Sequence, residues 1–397
     1  MRVRTDGQVD LTYCLNVHPG ETWDENFAAI REKATAVRGL VAPGQAFGLG
    51  LRLSATAAVE LIKPKRLKEF QDFLAAENLY VFTINGFPFG QFHNTAVKAD
   101  VYAPDWRTKE RLQYTILLAE ILAELLPVGG VGSISTVPLS YKSWIKSDDD
   151  VAAMVRQLAE TAAHLHMLTV GERYVTLALE PEPDCFIENT DELLAFFERW
   201  TPTAVRYIMS ELGLSEAICT EIWRQHIGVC FDTAHAAVAF EDMVTSLERI
   251  RRAGVAIGKV QLSSALAVKP TPDALCRLAE FVDNVYLHQV KALGRDGKVT
   301  SFADLPDVLN AANIEHFQEL RVHYHVPLFF QGEGDFRSTS DLLIGPFARF
   351  LQSGITPHVE IETYTFTVLP ASLRPADLSE GIAEEFRWVM GNVFSSQ

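Results

Sequence analysis

Eight short β-type runs alternate with longer amphipathic runs along this chain of 397 residues. The β-type runs cover residues 11–16, 47–54, 79–85, 133–139, 174–180, 227–232, 259–263 and 358–363. The amphipathic runs, which carry apolar residues at helical spacing, cover residues 23–37, 67–77, 109–126, 149–168, 190–199, 204–212 and 240–253. Parallel strands need crossover helices, so eight such units predict a (β/α)₈ TIM barrel.

An open, doubly wound sheet is the alternative for the same alternation. Such sheets usually carry a glycine-rich phosphate loop after the first strand, and neither GxGxxG nor GxxxxGK[ST] occurs in this sequence. No low-complexity segment or Gly/Ser linker divides the chain. We therefore expect residues 1–397 to form a single barrel domain.

A long stretch between the seventh and eighth β-type runs does not fit a simple βα unit. It contains two further β-type runs, at residues 285–291 and 321–328. Between them lie a Gly-Arg-Asp-Gly turn at residues 294–297 and a helical piece at residues 302–312. We interpret residues 266–320 as an elaboration beside strand seven, on the active-site face of the barrel, that forms a lid or a hairpin.

Acidic residues outnumber basic ones by 51 to 35, which gives a formal net charge of −16. This balance disfavours nucleic acid and anionic membrane surfaces as partners, because both are bound through clustered Lys and Arg. The five cysteines show no CxxC spacing, which favours reduced thiols. No signal peptide and no run of about 18 apolar residues is visible, so we expect a cytoplasmic protein without membrane insertion.

Carboxylates follow the fifth and sixth β-type runs, where a barrel places its active site. Period-2 alternation directs Glu180 into the barrel mouth, and Glu182 has the same parity; a solvated loop carboxylate is the alternative. Asp232 ends the sixth run, and His235 lies one turn later, so both side chains reach one central point. An N-cap role for Asp232 is the alternative there.

The last runs add amide, imidazole and carboxylate groups. Gln261 on strand seven supplies a neutral oxygen ligand. His323 and His325 form an HxH pair on one side of a strand, a pattern that suits Zn²⁺, Mn²⁺ or Fe²⁺; paired surface histidines are the alternative. Glu360 and Glu362 share a parity on strand eight, and Glu362 is the better ligand candidate because it lies nearer the strand's end.

Earlier segments supply candidate substrate contacts. Arg52, which ends the second run, pairs in this interpretation with a carboxylate or phosphate of the substrate. Asn85 and His93 lie in a Gly/Pro-rich loop after the third run, and loops over a barrel mouth often touch ligand. For His93 an ordinary loop histidine is an equal alternative.

Three carboxylates facing one lumen repel each other unless a cation lies among them. We therefore predict that Glu180, Asp232 and Glu362 converge with at least one imidazole on a divalent metal ion, and that the carboxylates of Glu180 and Asp232 lie within ~6 Å of each other. The imidazoles favour Mn, Zn or Fe over Mg or Ca. The sequence does not decide which of these metals is bound.

The order Glu-Pro, Asp-x-x-His, Gln, HxH and Glu-Thr resembles the xylose isomerase-like TIM-barrel superfamily, which includes sugar isomerases, ketose 3-epimerases and family 2 AP endonucleases. The resemblance implies that Glu180, Asp232, Gln261 and Glu362 bind metal. It also implies that Glu180 and Glu362 act as catalytic acid and base, and that His235 contacts the substrate. Gln261 stands where these enzymes most often carry histidine.

Longer segments resemble the EboE family of TIM-barrel metabolite traffic proteins, encoded in bacterial and algal secondary-metabolite operons. The segments are TYCLNVHPGETW, GLGLRLS, TINGFPFGQFH, RVHYHVPLF and VEIETYTF. This resemblance implies a pathway context and no particular reaction.

The leading hypothesis is a metal-dependent isomerase or epimerase that acts on a small polyhydroxylated or prenyl-linked metabolite. In it the metal polarises a carbonyl and its neighbouring hydroxyl, and Glu180 and Glu362 remove and return the α-proton. A metal-dependent phosphoester hydrolase and a non-catalytic metabolite carrier are the alternatives. A small-molecule substrate is expected in either enzyme, while homo-oligomer formation and pathway partners stay open.

Overall fold

A computed structural model describes residues 1–4, 8–90, 98–168, 173–282, 287–366, 375 and 377–395. It contains an α/β barrel with a second sheet at its mouth. The strands are β1 (Arg2–Arg4), β2 (Gln8–Tyr13), β3 (Phe47–Arg52), β4 (Leu79–Asn85), β5 (Val131–Thr136), β6 (Tyr174–Leu179), β7 (Ile227–Asp232), β8 (Ala256–Leu262), β9 (Ser264–Val268), β10 (Val290–Gly294), β11 (Val299–Phe302), β12 (Phe317–Val326), β13 (Phe336–Ser338) and β14 (His358–Ile361).

The helices between these strands cover most of the outside of the barrel. They are α1 (Trp23–Ala29), α2 (Thr35–Val41), α3 (Ala55–Leu61), α4 (Pro64–Ala76), α5 (Lys109–Leu125), α6 (Asp148–Leu168), α7 (Thr190–Leu212), α8 (Glu216–His226), α9 (Thr233–Val238), α10 (Met243–Arg252), α11 (Pro272–Leu278), α12 (Leu305–Leu309), α13 (Pro346–Gln352) and α14 (Leu378–Asn392), and a π-helical turn, Ile30–Ala34, joins α1 to α2. Among the described residues, no helix combines the length and the apolar character that a membrane span requires.

Eight parallel strands form the barrel, in the order β2-β14-β8-β7-β6-β5-β4-β3. A parallel bridge between Cys14 and Gly50 brings the first and last of these strands together, so the ring is nearly closed. Strand β1 pairs antiparallel with β2 at the edge of the nine-stranded sheet. The predicted TIM barrel is therefore confirmed, and each of its strands ends at the same face.

The lumen holds an ion pair where many barrels hold aliphatic side chains. Lys259 and Glu360 lie 2.7 Å apart, Nζ to Oε2, and neither side chain is exposed to solvent. A Cβ atom on Gly50 would lie 2.0 Å from Glu360 Oε1 and 2.9 Å from the Tyr13 carbonyl oxygen. The close approach of this carboxylate therefore explains a glycine inside the buried strand β3.

The stretch between β8 and β14 forms a five-stranded antiparallel sheet in the order β11-β10-β12-β9-β13. Strand β9 starts two residues after β8 ends, so the chain runs directly from the barrel into this sheet. The sheet, which we call the mouth sheet, has its own apolar core that includes Val268, Val290 and Val322. It contains the expected hairpin, β10–β11, within a larger structure that extends from Ser264 to Ser338.

Local predictions differ from the structure at two helices. The two predicted runs 190–199 and 204–212 are one continuous helix, α7, with Pro202 inside it. Burial of one face, including Phe196 and Ile208, outweighs the local cost of the proline. The predicted helical piece 302–312 contains only the short helix α12, because Phe302 ends strand β11 and Asp304 caps the helix.

Candidate active site

Three imidazoles meet at the mouth of the barrel. His325 Nε2 lies 3.3 Å from His323 Nε2 and 3.4 Å from His235 Nε2. His323 and His325 come from β12 of the mouth sheet, whereas His235 lies in α9, one turn after barrel strand β7. All three side chains are buried. The barrel and the mouth sheet therefore build this cluster jointly.

Each imidazole is held by a hydrogen bond at its other nitrogen. The Nδ1 atoms of His235 and His325 contact the carbonyl oxygens of Pro181 and Glu362 at 2.8 and 2.9 Å. The Nδ1 atom of His323 contacts Gln289 Oε1 at 2.9 Å. A carbonyl oxygen only accepts hydrogen bonds, so each Nδ1 carries the proton. Each Nε2 therefore directs its lone pair at the common centre.

The two separations from His325 Nε2 match those of a metal site. Nitrogens bound at 2.0–2.1 Å to a tetrahedral metal are separated by about 3.3–3.4 Å. Burial lowers the pKa of both His235 and His323, and the neighbouring imidazoles lower it further. Both rings are therefore neutral at pH 7, which is the form that binds metal.

Four carboxylates surround the imidazoles. Ligand atoms of Glu180, Asp232 and His235 all lie within 4.8 Å of one another, as do those of Asp232, His325 and Glu362. The predicted approach of Glu180 to Asp232 is therefore confirmed. Glu182, the fourth carboxylate, places Oε2 3.2 Å from His235 Nε2. The buried atom Glu180 Oε2 has no hydrogen-bond partner among the described residues, so this oxygen is available to a cation.

Burial raises the pKa of three of these carboxyls, and their mutual repulsion adds to the effect. The pKa of Glu180 is raised by desolvation and then by the charge of Asp232. The pKa of Glu362 is raised by desolvation and then by the charge of Glu180. Desolvation also raises the pKa of Glu182, although the hydrogen bond from the Tyr102 hydroxyl lowers it. A divalent cation would lower these pKa values, because it stabilises the ionised carboxylates.

Asp232 has two functions at once. Its Oδ1 accepts the backbone N–H of His235 at 2.9 Å and so caps α9. The Ser263 hydroxyl lies 2.9 Å from each of its carboxylate oxygens. The N-cap alternative is thus correct as a description of local structure, and it coexists with a place in the cluster because the cap fixes His235 one turn further on.

Two amides orient Glu362. Asn16 Nδ2 and Asn85 Nδ2 donate to Glu362 Oε1 at 2.7 and 3.0 Å. The candidate substrate contact Asn85 therefore lines the cavity but is bonded to a carboxylate of the cluster. Asn16 was not predicted, although its place at the end of the first β-type run, on the same barrel face, was a usable signal.

Two other predicted residues are held by contacts of their own. Gln261 is fully buried, and its Oε1 accepts from the Cys230 thiol at 2.8 Å. Arg52 is 4 % exposed, donates to the Gly20 carbonyl at 2.8 Å and also to that of Gly90. It does not line the described cavity. His93 lies outside the described residues.

Gln289 and Tyr102 are contacts that sequence reasoning missed. Gln289 Nε2 donates to the Tyr102 hydroxyl at 2.9 Å and to the Pro183 carbonyl at 3.0 Å, which fixes its Oε1 against His323. The Tyr102 hydroxyl donates to Glu182 Oε1 at 3.1 Å. Gln289 lies in a predicted β-type run, but only antiparallel pairing with the HxH strand reveals its role.

A cavity opens at the cluster. Its lining includes the carboxylates Glu180, Glu182 and Glu362 and all three imidazoles. A second group of lining residues is apolar or aromatic and comprises Phe87, Pro88, Val101, Tyr102, Leu287 and Tyr364. The cavity therefore joins a site suited to a metal to a less polar compartment.

Comparisons with known proteins give the fold its context. The chain is similar to the IolI protein, whose structure contains a bound zinc atom, at TM-score 0.50 and 11% identity over 98% of this chain and 100% of that one. Two further solved structures are a D-allulose 3-epimerase from Methylomonas sp. in complex with D-allulose (TM-score 0.48, 12% identity, 99% of both chains) and the probable 3-DHS dehydratase AsbF from Bacillus anthracis (TM-score 0.47, 14% identity, 97% and 99%).

No protein-family model and no curated protein matches the sequence. The structural neighbours are xylose isomerase-like TIM-barrel proteins, and their similarity to this chain is one of fold.

Proposed function

We propose that this protein is a metal-dependent isomerase or epimerase that acts on a small metabolite. The observation that carries the proposal is the convergence of three imidazoles, with Nε2 separations of 3.3 and 3.4 Å from His325 to the other two, beside four buried carboxylates. The names of the structural neighbours, which include a zinc-containing protein and a ketose epimerase, agree with this chemistry. An EboE-type role in secondary metabolism is part of the proposal and is supported by the sequence segments alone.

In this proposal His235, His323 and His325 hold one divalent ion of the Mn, Zn or Fe type, with Asp232 and Glu180 completing the ligand set. Gln261 is assigned to the supporting layer beneath the centre, because its oxygen is already bonded to Cys230. The bound ion would supply Lewis-acid polarisation of a carbonyl and its neighbouring hydroxyl.

Proton transfer is assigned to the two glutamates. Glu362 is held by two amide donors and so presents its carboxylate in a fixed direction. Glu180 has an oxygen without a partner among the described residues, which leaves that oxygen able to accept and return a proton. Glu182, fixed by Tyr102, is the remaining carboxylate that orients polar groups of the substrate.

Metal uptake tests the centre directly. Protein stripped of ions and then equilibrated separately with Mn²⁺, Zn²⁺ and Fe²⁺ should retain about one equivalent of at least one of them, measured by elemental analysis after gel filtration. The double variant His323→Ala/His325→Ala should lose it, and His316→Ala, at a histidine whose side chain is 73% exposed, is the matched control. Retention below about 0.1 equivalent by wild-type protein rejects the metalloenzyme.

Proton exchange tests the reaction type. Incubation with D-allulose, D-fructose or D-tagatose in D₂O should introduce deuterium next to the carbonyl, detected by NMR. Glu180→Gln and Glu362→Gln should reduce the rate by roughly 10²–10⁴-fold while the three imidazoles retain the metal. Hydrolysis of 4-nitrophenyl phosphate without deuterium incorporation would instead favour the phosphoester hydrolase, and metal binding with neither reaction would favour the carrier.

A further inference from the structure

Part of the cavity lining is apolar. Phe87 and Pro88 follow β4, and β4 lies across the eight-stranded ring from β8, which leads into the mouth sheet. Val101, in a 3₁₀ turn after the same strand, and Leu287, just before β10, continue this surface. We call Phe87, Pro88, Val101 and Leu287 the apolar wall. A ligand bound at the cluster extends from a polar end towards this wall.

Two arginines near the wall, Arg52 and Arg111, do not line the described cavity. Arg111 donates to the carbonyl oxygens of Gly86, Phe87 and Pro104 at 2.7–3.0 Å. Arg52 likewise donates to backbone carbonyls. These guanidinium groups hold the loop after β4 in place.

The cation that does line the described cavity is Lys98, and its Nζ lies 2.7 Å from Asp304 Oδ2. Opposite it, three glutamates of the cluster face the same space. Among the described residues, a phosphate or carboxylate at the wall end of a ligand would therefore lose its hydration without gaining a cation that is not already paired. The wall selects against charge at that end.

We propose that the ligand of this cavity is an uncharged molecule with two neighbouring oxygens at one end and an apolar body at the other. The oxygens bind at the imidazole and carboxylate cluster, and the apolar body packs on the wall formed by Phe87, Pro88, Val101 and Leu287. This assignment rests on the proposed function for the oxygen end, but the wall argument is independent of the metal. Free polyols and sugar phosphates are then poorer ligands than an alkyl-substituted hydroxyketone.

A series of ketones that share one head group tests this assignment. The probes are hydroxyacetone, 1-hydroxy-2-octanone, D-fructose and dihydroxyacetone phosphate, titrated calorimetrically into Co²⁺-loaded protein while the visible Co²⁺ spectrum is recorded. Each fully buried methylene strengthens binding by about fourfold, so 1-hydroxy-2-octanone should bind at least ~10-fold more tightly than hydroxyacetone. Equal or tighter binding of D-fructose or dihydroxyacetone phosphate overturns the proposal.

Matched variants locate the apolar contact. Leu287→Asn, a near-isosteric polar change, should weaken the binding of 1-hydroxy-2-octanone several-fold more than the binding of hydroxyacetone. Leu342→Asn, at a leucine that is 36% exposed, is the control. An equal effect in both variants contradicts the assignment. If Co²⁺ does not bind, the metal part of the proposed function fails. The relative affinities of the four ketones for metal-free protein then still test whether the apolar wall binds the apolar body of the ligand.

Discussion

The hydrogen bonds at the Nδ1 atoms of three histidines determine how their imidazole rings face the candidate site. The three imidazoles present Nε2 to one point because Pro181, Glu362 and Gln289 each occupy an Nδ1. Two of these partners are backbone carbonyls and cannot be removed by substitution. Gln289 uses a side-chain oxygen. A substitution at this position therefore tests the orientation of His323 without changing any of the three histidines.

Gln289→Leu should weaken metal binding by about 10–100-fold, because His323 loses the acceptor that fixes its tautomer and ring orientation. Competition with a chromophoric chelator measures the change in affinity. Gln318→Leu, on the same strand as His323 but exposed and bonded to the Gly294 carbonyl, is the control and should have no effect. Unchanged affinity in Gln289→Leu would show that the imidazole is held without this amide.

The buried ion pair of the lumen gives a second prediction at this scale. Lys259→Met leaves the carboxylate of Glu360 buried without its partner and should lower the free energy of unfolding by about 3–5 kcal/mol. Lys259→Met/Glu360→Gln should recover at least half of that loss, because no buried charge is left. Lys68→Met, which breaks an exposed pair with Asp72, should cost less than about 1 kcal/mol in the same urea titration. A double variant as unstable as the single one would contradict this account.

At the scale of elements, the C-terminal helix α14 is tied to the end of strand β14 and to the loop after β12 by one carboxyl group. Glu385 Oε1 accepts from the Thr363 hydroxyl at 2.6 Å and from the Leu328 backbone N–H at 3.1 Å. Burial raises the pKa of Glu385 from 4.5 to about 7. The helix is thus attached to the barrel mouth through a group that titrates near neutrality.

The raised pKa makes this attachment dependent on pH. Between pH 4.5 and 7 the folded protein binds more protons at Glu385 than the unfolded chain does, so stability falls as the pH rises through this window. Glu385→Gln removes that dependence. The free energy of unfolding of the variant relative to wild type should therefore rise from pH 5 to pH 8, by up to about 3 kcal/mol. A difference that is the same at both pH values in urea titrations would show that Glu385 does not titrate in this range.

At the scale of the whole molecule, the site depends on two sheets with separate cores. The barrel supplies Glu180, Asp232, His235 and Glu362, while the mouth sheet supplies His323 and His325. The mouth sheet has its own apolar cluster, so its packing against the barrel does not come from one continuous core. A metal ion bound by both parts would link them.

Metal loading should therefore protect the mouth sheet. With Zn²⁺ bound, amide exchange along β9 and β12 should slow by at least about tenfold, whereas the exposed strand β11 should be unchanged. Hydrogen–deuterium exchange with mass spectrometry measures both regions in one experiment. His323→Ala should abolish the protection, and protection spread evenly over the barrel helices would contradict the specific link.

The sequence by itself determined the barrel and several parts of its site. Alternation of β-type and helical runs predicts eight parallel strands, because each strand must be buried on both faces and returned by a helix. Once the strands are parallel, Glu180, Asp232 and Glu362 must gather at one face, since all three follow strand ends. These inferences need only local periodicity and the geometry of the fold.

Tertiary structure decided which groups complete the site. The HxH pair reaches His235 only because β9 continues from β8 and pairs with β12 across a mouth sheet, and no local pattern encodes that antiparallel register. Gln289 and Tyr102 acquire their roles from contacts between segments far apart in the chain. Gln261 accepts from the thiol of Cys230 on the neighbouring strand, a contact that strand pairing decides. Long-range pairing of this kind depends on the packing of complete elements, which the local periodicity of a sequence does not contain.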